Sequence, residues 1–314
     1  MNMKKVGDIY KKFGTVFSLL ILVIIVTAMN PKFLTLYNIL NIFRQVSING
    51  LIAFGMTFVI LTGGIDLSVG SILGLTGVIL GLMIKSGTPD VIAILIAIVF
   101  GTMLGAINGV LVSKIKLQPF IATLATMTMF RGITMIISDG IPFMGLTKNA
   151  PVLDYFSQGR FLKVPFPMII FLLLLAVLLV LLQNTAFGRS VYALGGNEEA
   201  ARLSSIPVIK VKTLVYVISG FLSSLAAIIL TSRLSSSQPT AGMGFELDAI
   251  AAVVIGGTSL SGGKGKIFGT FLGALIIGVL NNGLNIIGVS AFYQQFIKGL
   301  VILFAVILDR KSTK

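Results

Sequence analysis

Long apolar runs that lack charged residues constrain the fold of this chain more than any other feature. Phe166–Leu182 is an almost unbroken series of Ile, Leu, Phe and Val, and similar runs recur along all 314 residues. A helix of roughly 20 apolar residues crosses a hydrocarbon core about 30 Å thick. Only 11% of the residues are charged, against about 25% in a soluble domain. The sequence therefore predicts a polytopic membrane protein.

Ten segments satisfy the apolar-run criterion for a membrane span. The eighth is the weakest, because Glu246 and Asp248 lie at its start and Gly256-Gly257 at its end, so it is either a short helix or a re-entrant one. We expect an all-α bundle of about ten transmembrane helices that forms a single domain over residues 1–314. The predicted spans are 13–29, 47–63, 67–84, 91–112, 120–137, 164–183, 213–231, 245–258, 267–287 and 292–308.

Two segments near the N-terminus need separate interpretation. The first span follows a basic start, as a cleaved signal peptide also does, but no small-residue cleavage site follows Met29. We therefore expect a retained signal anchor. Apolar residues at positions 36, 39, 40 and 43 follow helical spacing and predict a short helix on the outer membrane surface before the second span.

Lys and Arg are distributed unequally between the two sides of the membrane that these spans define. Of the 24 Lys and Arg residues, 15 lie on the side that holds both termini, 7 lie on the other side, and Arg131 and Lys298 lie within spans. Positive residues are enriched in cytoplasmic loops, so both termini are predicted to be cytoplasmic. Most of the net charge of +14 then faces anionic lipid and a cytoplasmic partner, and it does not indicate a nucleic-acid partner.

The composition also excludes several kinds of chemistry. The chain contains no His and no Cys, which removes His-based acid–base catalysis, thiol nucleophiles and Cys/His metal sites. Gly256–Lys266 reads GGTSLSGGKGK, but a phosphate-binding P-loop needs Gly where Thr258 stands and Ser or Thr where Gly265 stands. We therefore expect no catalytic residue, metal or cofactor on this chain, and a partner must supply the energy for any active transport.

Many of the 35 glycines fall inside the predicted spans at four-residue spacing. Small residues at this spacing let helix backbones approach closely in lipid. Two interpretations remain open, a closely packed bundle or faces that slide past each other during transport. The series are 70/74, 77/81, 101/105/109 and 265/269/273.

Residues 188–212 form the most informative loop on the predicted cytoplasmic side. Asn197 is a favourable N-cap, Glu198 and Glu199 complement the positive end of a helix dipole, and Pro207 ends the segment. A helix of two turns is marginal in water on its own. It must therefore dock, either on its own membrane domain or on a cytoplasmic subunit.

Five segments resemble the permease subunits of ATP-binding cassette (ABC) sugar importers, in the same order and over nearly the whole chain. They are GGIDLSVG at 63–70, GRSVYALGGNEEAARLSSIPV at 188–208, QPTAG at 238–242, ELDAIAAVVIGGTSL at 246–260 and NNGLN at 281–285. One departure is Ser205-Ile206-Pro207, where the family is expected to have Gly-Ile-Asn or a similar sequence.

The resemblance implies a permease of the bacterial cell membrane that transports a monosaccharide, with ribose favoured, and that is not an enzyme. Such permeases pair in the membrane, here as a homodimer, and receive sugar from an extracytoplasmic binding protein. They associate with cytoplasmic ABC ATPase subunits, which hydrolyse the ATP. The resemblance also implies that residues 188–212 couple the two subunits. It places the ATPase-contacting helix at Asn197, Glu198, Glu199, Ala200, Ala201, Arg202 and Leu203.

Charged and amide side chains within or beside the spans are candidates for the substrate path. Each also has a structural interpretation: a carboxylate can cap the third span, an arginine can snorkel or bond to backbone carbonyls, and amides can join helices. The alternative function, an ion-coupled or facilitative secondary carrier, usually needs further ionisable groups, and no second deep carboxylate is predicted. The candidates are Asp66, Asn108, Arg131, Asn281 and Asn285.

Overall fold

Helices dominate the structure, a computed structural model that describes the backbone of residues 3–312 and the side chains of residues 14–148, 150–304 and 306–307. The basic side chains at positions 4–12 thus lie outside the described part. The helices are α1 (Met3–Met29), α2 (Leu36–Leu61), α3 (Val69–Lys85), α4 (Asp90–Ser113), α5 (Pro119–Ser138), α6 (Pro151–Gln158), α7 (Phe166–Asn184), α8 (Ala186–Gly196), α9 (Glu198–Leu203), α10 (Val208–Leu234), α11 (Phe245–Ile255), α12 (Ile267–Ile287) and α13 (Ala291–Ser312).

The remaining regular structure is short and lies in the connections. Two-residue strands form two antiparallel pairs, in which β1 (Phe143–Met144) pairs with β4 (Ser236–Ser237), and β2 (Arg160–Phe161) pairs with β3 (Val164–Pro165). Short 3-10 helices cover Pro31–Leu34 and Leu146–Asn149. The all-α prediction is therefore confirmed for the described part of the chain.

Six helices, α2, α4, α5, α7, α10 and α12, are long and apolar enough to cross a membrane. The apolar stretches Gly14–Met29 in α1, Val69–Lys85 in α3 and Ala291–Phe304 in α13 are shorter, and α11 has only 11 residues. Every predicted span thus coincides with a helix. By length and composition, however, the described residues hold six candidate spans where the sequence predicted ten.

α2 shows that the prediction of a separate surface helix before the second span was wrong. Leu36–Leu61 is one continuous helix of 26 residues, and the Thr35 side chain caps it by accepting a hydrogen bond from the backbone N–H of Asn38. No Gly or Pro stands between positions 43 and 48 to interrupt it. The periodic segment 36–43 is therefore the beginning of α2.

α2 and α10 form the centre of the bundle. α2 packs against α7, α10, α11 and α12, and α10 packs also against α3 and α4. The most apolar stretch of 18 residues in α2 is 83% buried, whereas the corresponding stretch of α7 is only 28% buried. α7 stacks Phe171 on Phe54 of α2 at 4.9 Å between ring centroids and exposes Leu173 and Val177 on its opposite side. The outward face of α7 is therefore suited to contact lipid.

The glycines of α4 and α12 lie where helices pack closely, as one of the two interpretations of the glycine series predicts. Three glycines of α4, at positions 101, 105 and 109, face α10, and a Cβ on Gly105 would lie 2.9 Å from the Cα of Gly220. Gly269 and Gly273 of α12 face α11 in the same way. Larger side chains at these positions would force the helices apart.

The predicted eighth span, residues 245–258, contains the short helix α11, one of the two forms expected from the sequence, and an irregular segment precedes it. Ser237 packs on Gly81 near the end of α3, Ala241 packs on Gly74, and Gly242 packs on Gly70 near its start. The segment 236–242 therefore runs antiparallel to α3 as irregular chain, and α11 follows it. With 11 residues, α11 is about 16 Å long, roughly half of the hydrocarbon thickness.

The connecting segments gather at two ends of the bundle, which we call the inner end and the outer end after their predicted sides. At the inner end the N–H of Gly263 donates to the carbonyl oxygen of Leu61 at 3.0 Å. At the outer end Asp90 Oδ2 accepts a hydrogen bond from the N–H of Val152 at 2.7 Å. Segments that were predicted to share a side of the membrane thus contact one another.

Candidate transport site and coupling surface

α9, the predicted coupling helix, lies at the inner end. The side-chain oxygen of Asn197 accepts a hydrogen bond from the N–H of Ala200 at 3.0 Å, and Glu198 and Glu199 occupy the first turn. The N-cap prediction is thereby confirmed, and both carboxylates lie where they stabilise the helix dipole. Ser205, at φ +61°, turns the chain into α10.

One face of α9 packs on the protein and the other is exposed. Ala201 is 4% exposed, whereas Leu203 is 79% exposed. Glu198 pairs with Lys212 of α10 at 2.6 Å, and Glu199 pairs with Arg202 within α9 at 2.5 Å. α9 is thus held on its own membrane domain, and its other face exposes two charges and a leucine.

α8 connects α9 to the inner ends of other helices. A Cβ on Gly195 would overlap the carbonyl oxygen of Leu61 and lie 2.5 Å from the backbone nitrogen of Gly263. The Tyr192 hydroxyl donates to the carbonyl oxygen of Gly265 at 2.8 Å, and burial raises the pKa of Tyr192, so it remains a donor at neutral pH. α8 therefore connects α9 to α2 and to the segment 258–265.

The segment 258–265 is a part of this surface that sequence reasoning missed. Its sequence was compared with a phosphate-binding loop but was not predicted to lie beside the coupling loop. The structure packs it beneath α8, where Gly262 and Gly263 have positive φ angles of +83° and +71° and lie against Gly195 and Gly196. The run of glycines beside the predicted coupling loop was the available signal, because such close backbone approach requires residues without side chains.

Asp66 lies at the centre of a buried polar cluster. Its Oδ1 accepts hydrogen bonds from the N–H and the hydroxyl of Ser68 at 3.0 and 2.6 Å, and its Oδ2 accepts from the Ser219 hydroxyl at 2.9 Å. Asn108 donates to the Ser68 hydroxyl at 2.6 Å. The N-cap of α3 is Ser68, without a side-chain capping bond. Asp66 therefore fixes the turn before α3 instead of capping the helix as expected, and it joins that turn to α4 and α10.

Arg131 of α5 bonds to backbone carbonyls, one of the two roles that the sequence left open. Nη1 donates to the carbonyl oxygens of Pro239 at 2.5 Å and Ala241 at 2.9 Å, and Nη2 donates to that of Gly70 at 3.3 Å. One side chain thus holds both the irregular segment and the first turn of α3. Together with Glu246, it lines a cavity of about 430 Å³ that also includes Ser71 and Thr128.

A second cavity, of about 560 Å³, lies beyond Met243 and Gly244, which border both cavities. Here Lys298 of α13 pairs with Asp248 of α11 at 2.9 Å, and the Asp248 side chain is 8% exposed. The expectation that no second carboxylate lies deep was therefore wrong. The signal was present, because residues of opposite charge stand in two predicted spans, but only the fold shows that α11 packs on α13.

The amides of α12 have separate surroundings. Asn282 exchanges two hydrogen bonds with Asn38 of α2, at 2.9 and 3.0 Å, and so joins two helices. Asn281 lines a cavity of about 60 Å³ that also contains Asn49, and its buried Oδ1 has no hydrogen-bond partner among the described residues. Asn285 is exposed and accepts a hydrogen bond from Gln294 at 2.9 Å.

The five candidate path residues therefore do not form one constellation. Asp66 and Asn108 share the buried cluster, and Arg131 borders the 430 Å³ cavity. Asn281 and Asn285 lie at two further places. Both larger cavities lie in the volume range of small-molecule sites, about 300–1,000 Å³, and both include the first residues of α11 in their walls.

Known proteins resemble this chain along nearly its full length. The ribose import permease protein of Bacillus subtilis (strain 168) is 58% identical over 305 residues, which cover 97% of this chain and 94% of the relative. The ribose import permease protein of Escherichia coli (strain K12) is 51% identical over 296 residues, covering 94% and 92%. The L-arabinose transport system permease protein of the same strain is 37% identical over 310 residues, covering 98% and 93%.

These relatives are named as permeases of import or transport systems. The similarity therefore does not favour the alternative function of a secondary carrier. No solved structure gives a significant match. Residues 38–306 match the family model described as branched-chain amino acid transport system / permease component. With six long apolar helices, the chain is a multi-pass protein of the inner membrane, and it belongs to this permease family.

Proposed function

We propose that the chain is the membrane subunit of an ATP-driven importer of ribose. Full-length similarity to permeases named for ribose, at 51–58% identity, carries the proposal. Identity falls to 44% for the D-allose permease and 37% for the L-arabinose permease of Escherichia coli (strain K12). The gradient supports ribose over these other sugars.

Reconstitution tests the function as a whole. Proteoliposomes that contain the chain, its ATPase subunit and a ribose-binding protein are expected to accumulate labelled ribose only when ATP is available to the ATPase. Excess unlabelled ribose is expected to compete, and L-arabinose is not. Ribose uptake by the chain alone, driven by a cation gradient, would overturn the proposal in favour of a secondary carrier.

We infer that the single permease domain crosses the membrane ten times and that both termini are cytoplasmic, with the segment 236–242 and α11 together making the eighth crossing. The 15 to 7 distribution of Lys and Arg and the grouping of connecting segments at two ends support this topology. Because the chain has no Cys, single cysteines at Lys85 and Ser190 can be labelled selectively. They are expected to react from opposite sides, and reaction from the same side would refute the topology.

We propose that α9 contacts the ATPase through Glu199, Arg202 and Leu203, within a coupling region of residues 188–212. The exposure of this face supports the proposal, since an exposed ion pair contributes only about 0–1 kcal/mol to the fold. The charge reversals Glu199→Lys and Arg202→Glu are expected to weaken ATPase association without affecting membrane insertion. Lys85→Glu, at the outer end, is the matched control, and wild-type association of both α9 variants would count against the assignment.

We propose that the sugar passes along the two cavities beside α11. Arg131 lines the cavity of about 430 Å³. The other candidate residues surround this path: Asp66, Asn108, Asn281 and Asn285. Discontinuous helices place substrate sites near the middle of the membrane in other transporters, and the irregular segment before α11 supports the same arrangement here. Both cavities open on the surface of the single chain, and a second copy of the chain is proposed to close them.

Cysteine blocking tests this path. Thr128 borders the 430 Å³ cavity, whereas Leu173 lies on the exposed face of α7. Modification of Thr128→Cys by a bulky thiol reagent is expected to abolish ribose uptake and to be slowed by ribose. Modification of Leu173→Cys is expected to leave uptake unchanged. Full uptake by the modified Thr128→Cys variant would exclude this cavity from the path.

A further inference from the structure

We propose that the outer end carries a phosphate-binding site formed by Arg44 of α2 and Arg233 of α10. The two arginines line a cavity of about 200 Å³ together with Asn41, Ser157 and Gln158. α6 contributes its last two residues, and Pro167 in the first turn of α7 closes one side. The walls therefore combine two guanidinium groups with an amide from each of two helices and a hydroxyl.

The two arginines lack compensating charge. Among the described residues, no carboxylate pairs with either guanidinium, and Arg44 Nε is buried without a hydrogen-bond partner. The two side chains are half-buried and close enough to repel each other electrostatically. Arg131, by contrast, bonds to three carbonyl oxygens. Two like charges in one cavity, one of them with an unmet buried donor, fit an anion that is bound between them.

A third polar group in the same cavity has no partner. Ser157 is 4% exposed, and its hydroxyl makes no hydrogen bond within the described chain. A buried hydroxyl without a partner costs about 1–3 kcal/mol. A tetrahedral oxyanion has enough acceptor oxygens for both guanidinium groups and for this hydroxyl, whereas a neutral sugar leaves the positive charge uncompensated.

The depth of the site favours the phosphate of an anionic phospholipid. Arg233 lies in the last turn of α10, Arg44 in the third turn of α2 and Pro167 in the first turn of α7, so the site lies toward the outer end of the bundle, where lipid headgroups are expected. The neighbouring α7 exposes the apolar side chains Leu173 and Val177. A lipid whose acyl chains cover α7 can therefore place its phosphate between the two arginines, which bind phosphate in bidentate geometry.

Thermal unfolding of the full chain in neutral detergent tests the site. Phosphatidylglycerol is expected to raise the unfolding midpoint of the wild type, and phosphatidylcholine is not, since binding to the native state stabilises it. In Arg44→Gln/Arg233→Gln the concentration of phosphatidylglycerol for half the effect is expected to rise at least about tenfold. Without lipid, this variant is expected to unfold no lower than the wild type, because it lacks the repulsion between the two arginines.

Matched variants and a second anion decide the outcome. Arg160→Gln removes an exposed outer-end charge away from the cavity and is expected to respond like the wild type. Inorganic phosphate that competes with phosphatidylglycerol would identify free phosphate as a second source of the same ligand chemistry. An unchanged lipid response in the double variant, or an equal loss in Arg160→Gln, would overturn the proposal. A double variant that loses affinity for the binding protein but keeps its response to phosphatidylglycerol would also overturn the proposal.

Discussion

Gly195 and Gly196 are adjacent in α8, and the structure predicts opposite outcomes for the same substitution at each. A Cβ on Gly195 would overlap the carbonyl oxygen of Leu61 and lie 2.5 Å from the nitrogen of Gly263, whereas a Cβ on Gly196 would meet no atom within 4 Å. Gly195→Ala is therefore expected to force α8 away from α2 and from the segment 258–265. Gly196→Ala is expected to leave all three in place.

The magnitude follows from the atoms involved. Ala is favoured over Gly within a helix by about 1 kcal/mol, so Gly196→Ala is expected to be neutral or slightly stabilising. At Gly195 the obstacles are backbone atoms, which cannot rotate away, and overpacking of this kind costs about 1–3 kcal/mol. Separation also weakens the 3.0 Å hydrogen bond from Gly263 to Leu61, worth about 1 kcal/mol. The expected net loss in the free energy of unfolding is about 1–3 kcal/mol.

Two assays on the matched pair test this reasoning. The unfolding midpoint of the purified chain is expected to fall for Gly195→Ala and to hold for Gly196→Ala. In proteoliposomes with the ATPase subunit, Gly195→Ala is also expected to hydrolyse more ATP per ribose imported, because α8 links α9 to the helix ends. Equal midpoints and equal coupling for the two variants would show that α8 does not pack as described.

Three further perturbations follow from the buried polar groups. Arg131→Lys keeps the charge, but an ammonium group cannot reach three carbonyl oxygens at once. Ribose uptake is therefore expected to fall at least about tenfold. Wild-type uptake would show that these three hydrogen bonds of Arg131 are not needed for transport. Asp66→Asn is expected to cost under about 1 kcal/mol in unfolding free energy, because the Ser219 hydroxyl can accept as well as donate. Asp66→Ala leaves three donors without an acceptor, at about 1–3 kcal/mol each. Equal losses for the two variants would argue against this hydrogen-bond network. In a double-mutant cycle, the losses of unfolding free energy caused by Asp248→Asn and Lys298→Gln are expected to differ from additivity by about 1–2 kcal/mol. Strict additivity would show that the two side chains do not interact.

The helices were predictable because their signals are local. Apolar runs placed a helix at every predicted span, and α9 was predicted from a cap, two first-turn carboxylates and a terminating proline, all within 11 residues of the chain. The glycine spacing likewise indicated which helix faces pack closely. It did not identify the partner helix, because the whole of residues 114–207 separates α4 from α10 in the sequence.

The irregular segment before α11 was not predictable in the same way. An irregular segment has no apolar-run signature, and QPTAG at 238–242 reads as a polar turn. Its place beside α3 depends on small residues at Gly70, Gly74 and Gly81 and on the guanidinium of Arg131, which precedes it by 108 residues. The five candidate path residues likewise turned out to lie at different places in the fold. Their positions within predicted spans did not show which of them share a cavity.

Irregular backbone within the helix bundle explains how the buried polar residues are used. In hydrocarbon an unpaired carbonyl or N–H costs several kcal/mol, and this chain places irregular segments both before α3 and beside it. The carbonyl oxygen of Ile65, before α3, accepts hydrogen bonds from Thr123 at 3.2 Å and from Tyr216 at 3.5 Å. Beside α3, Arg131 supplies the donors for the segment 236–242.

Three of the five candidate sugar ligands are therefore engaged with backbone or with other side chains of the protein. Asp66 fixes the turn before α3, Asn108 bonds to Ser68, and Arg131 holds the carbonyls of the segment 236–242. The hydroxyls of Ser71 and Thr128 each donate to a carbonyl of their own helix region and keep acceptor capacity toward the 430 Å³ cavity. Recognition of a neutral sugar in this path is thus expected to rest on such hydroxyls, while the charged residues preserve the irregular backbone that forms the cavity wall.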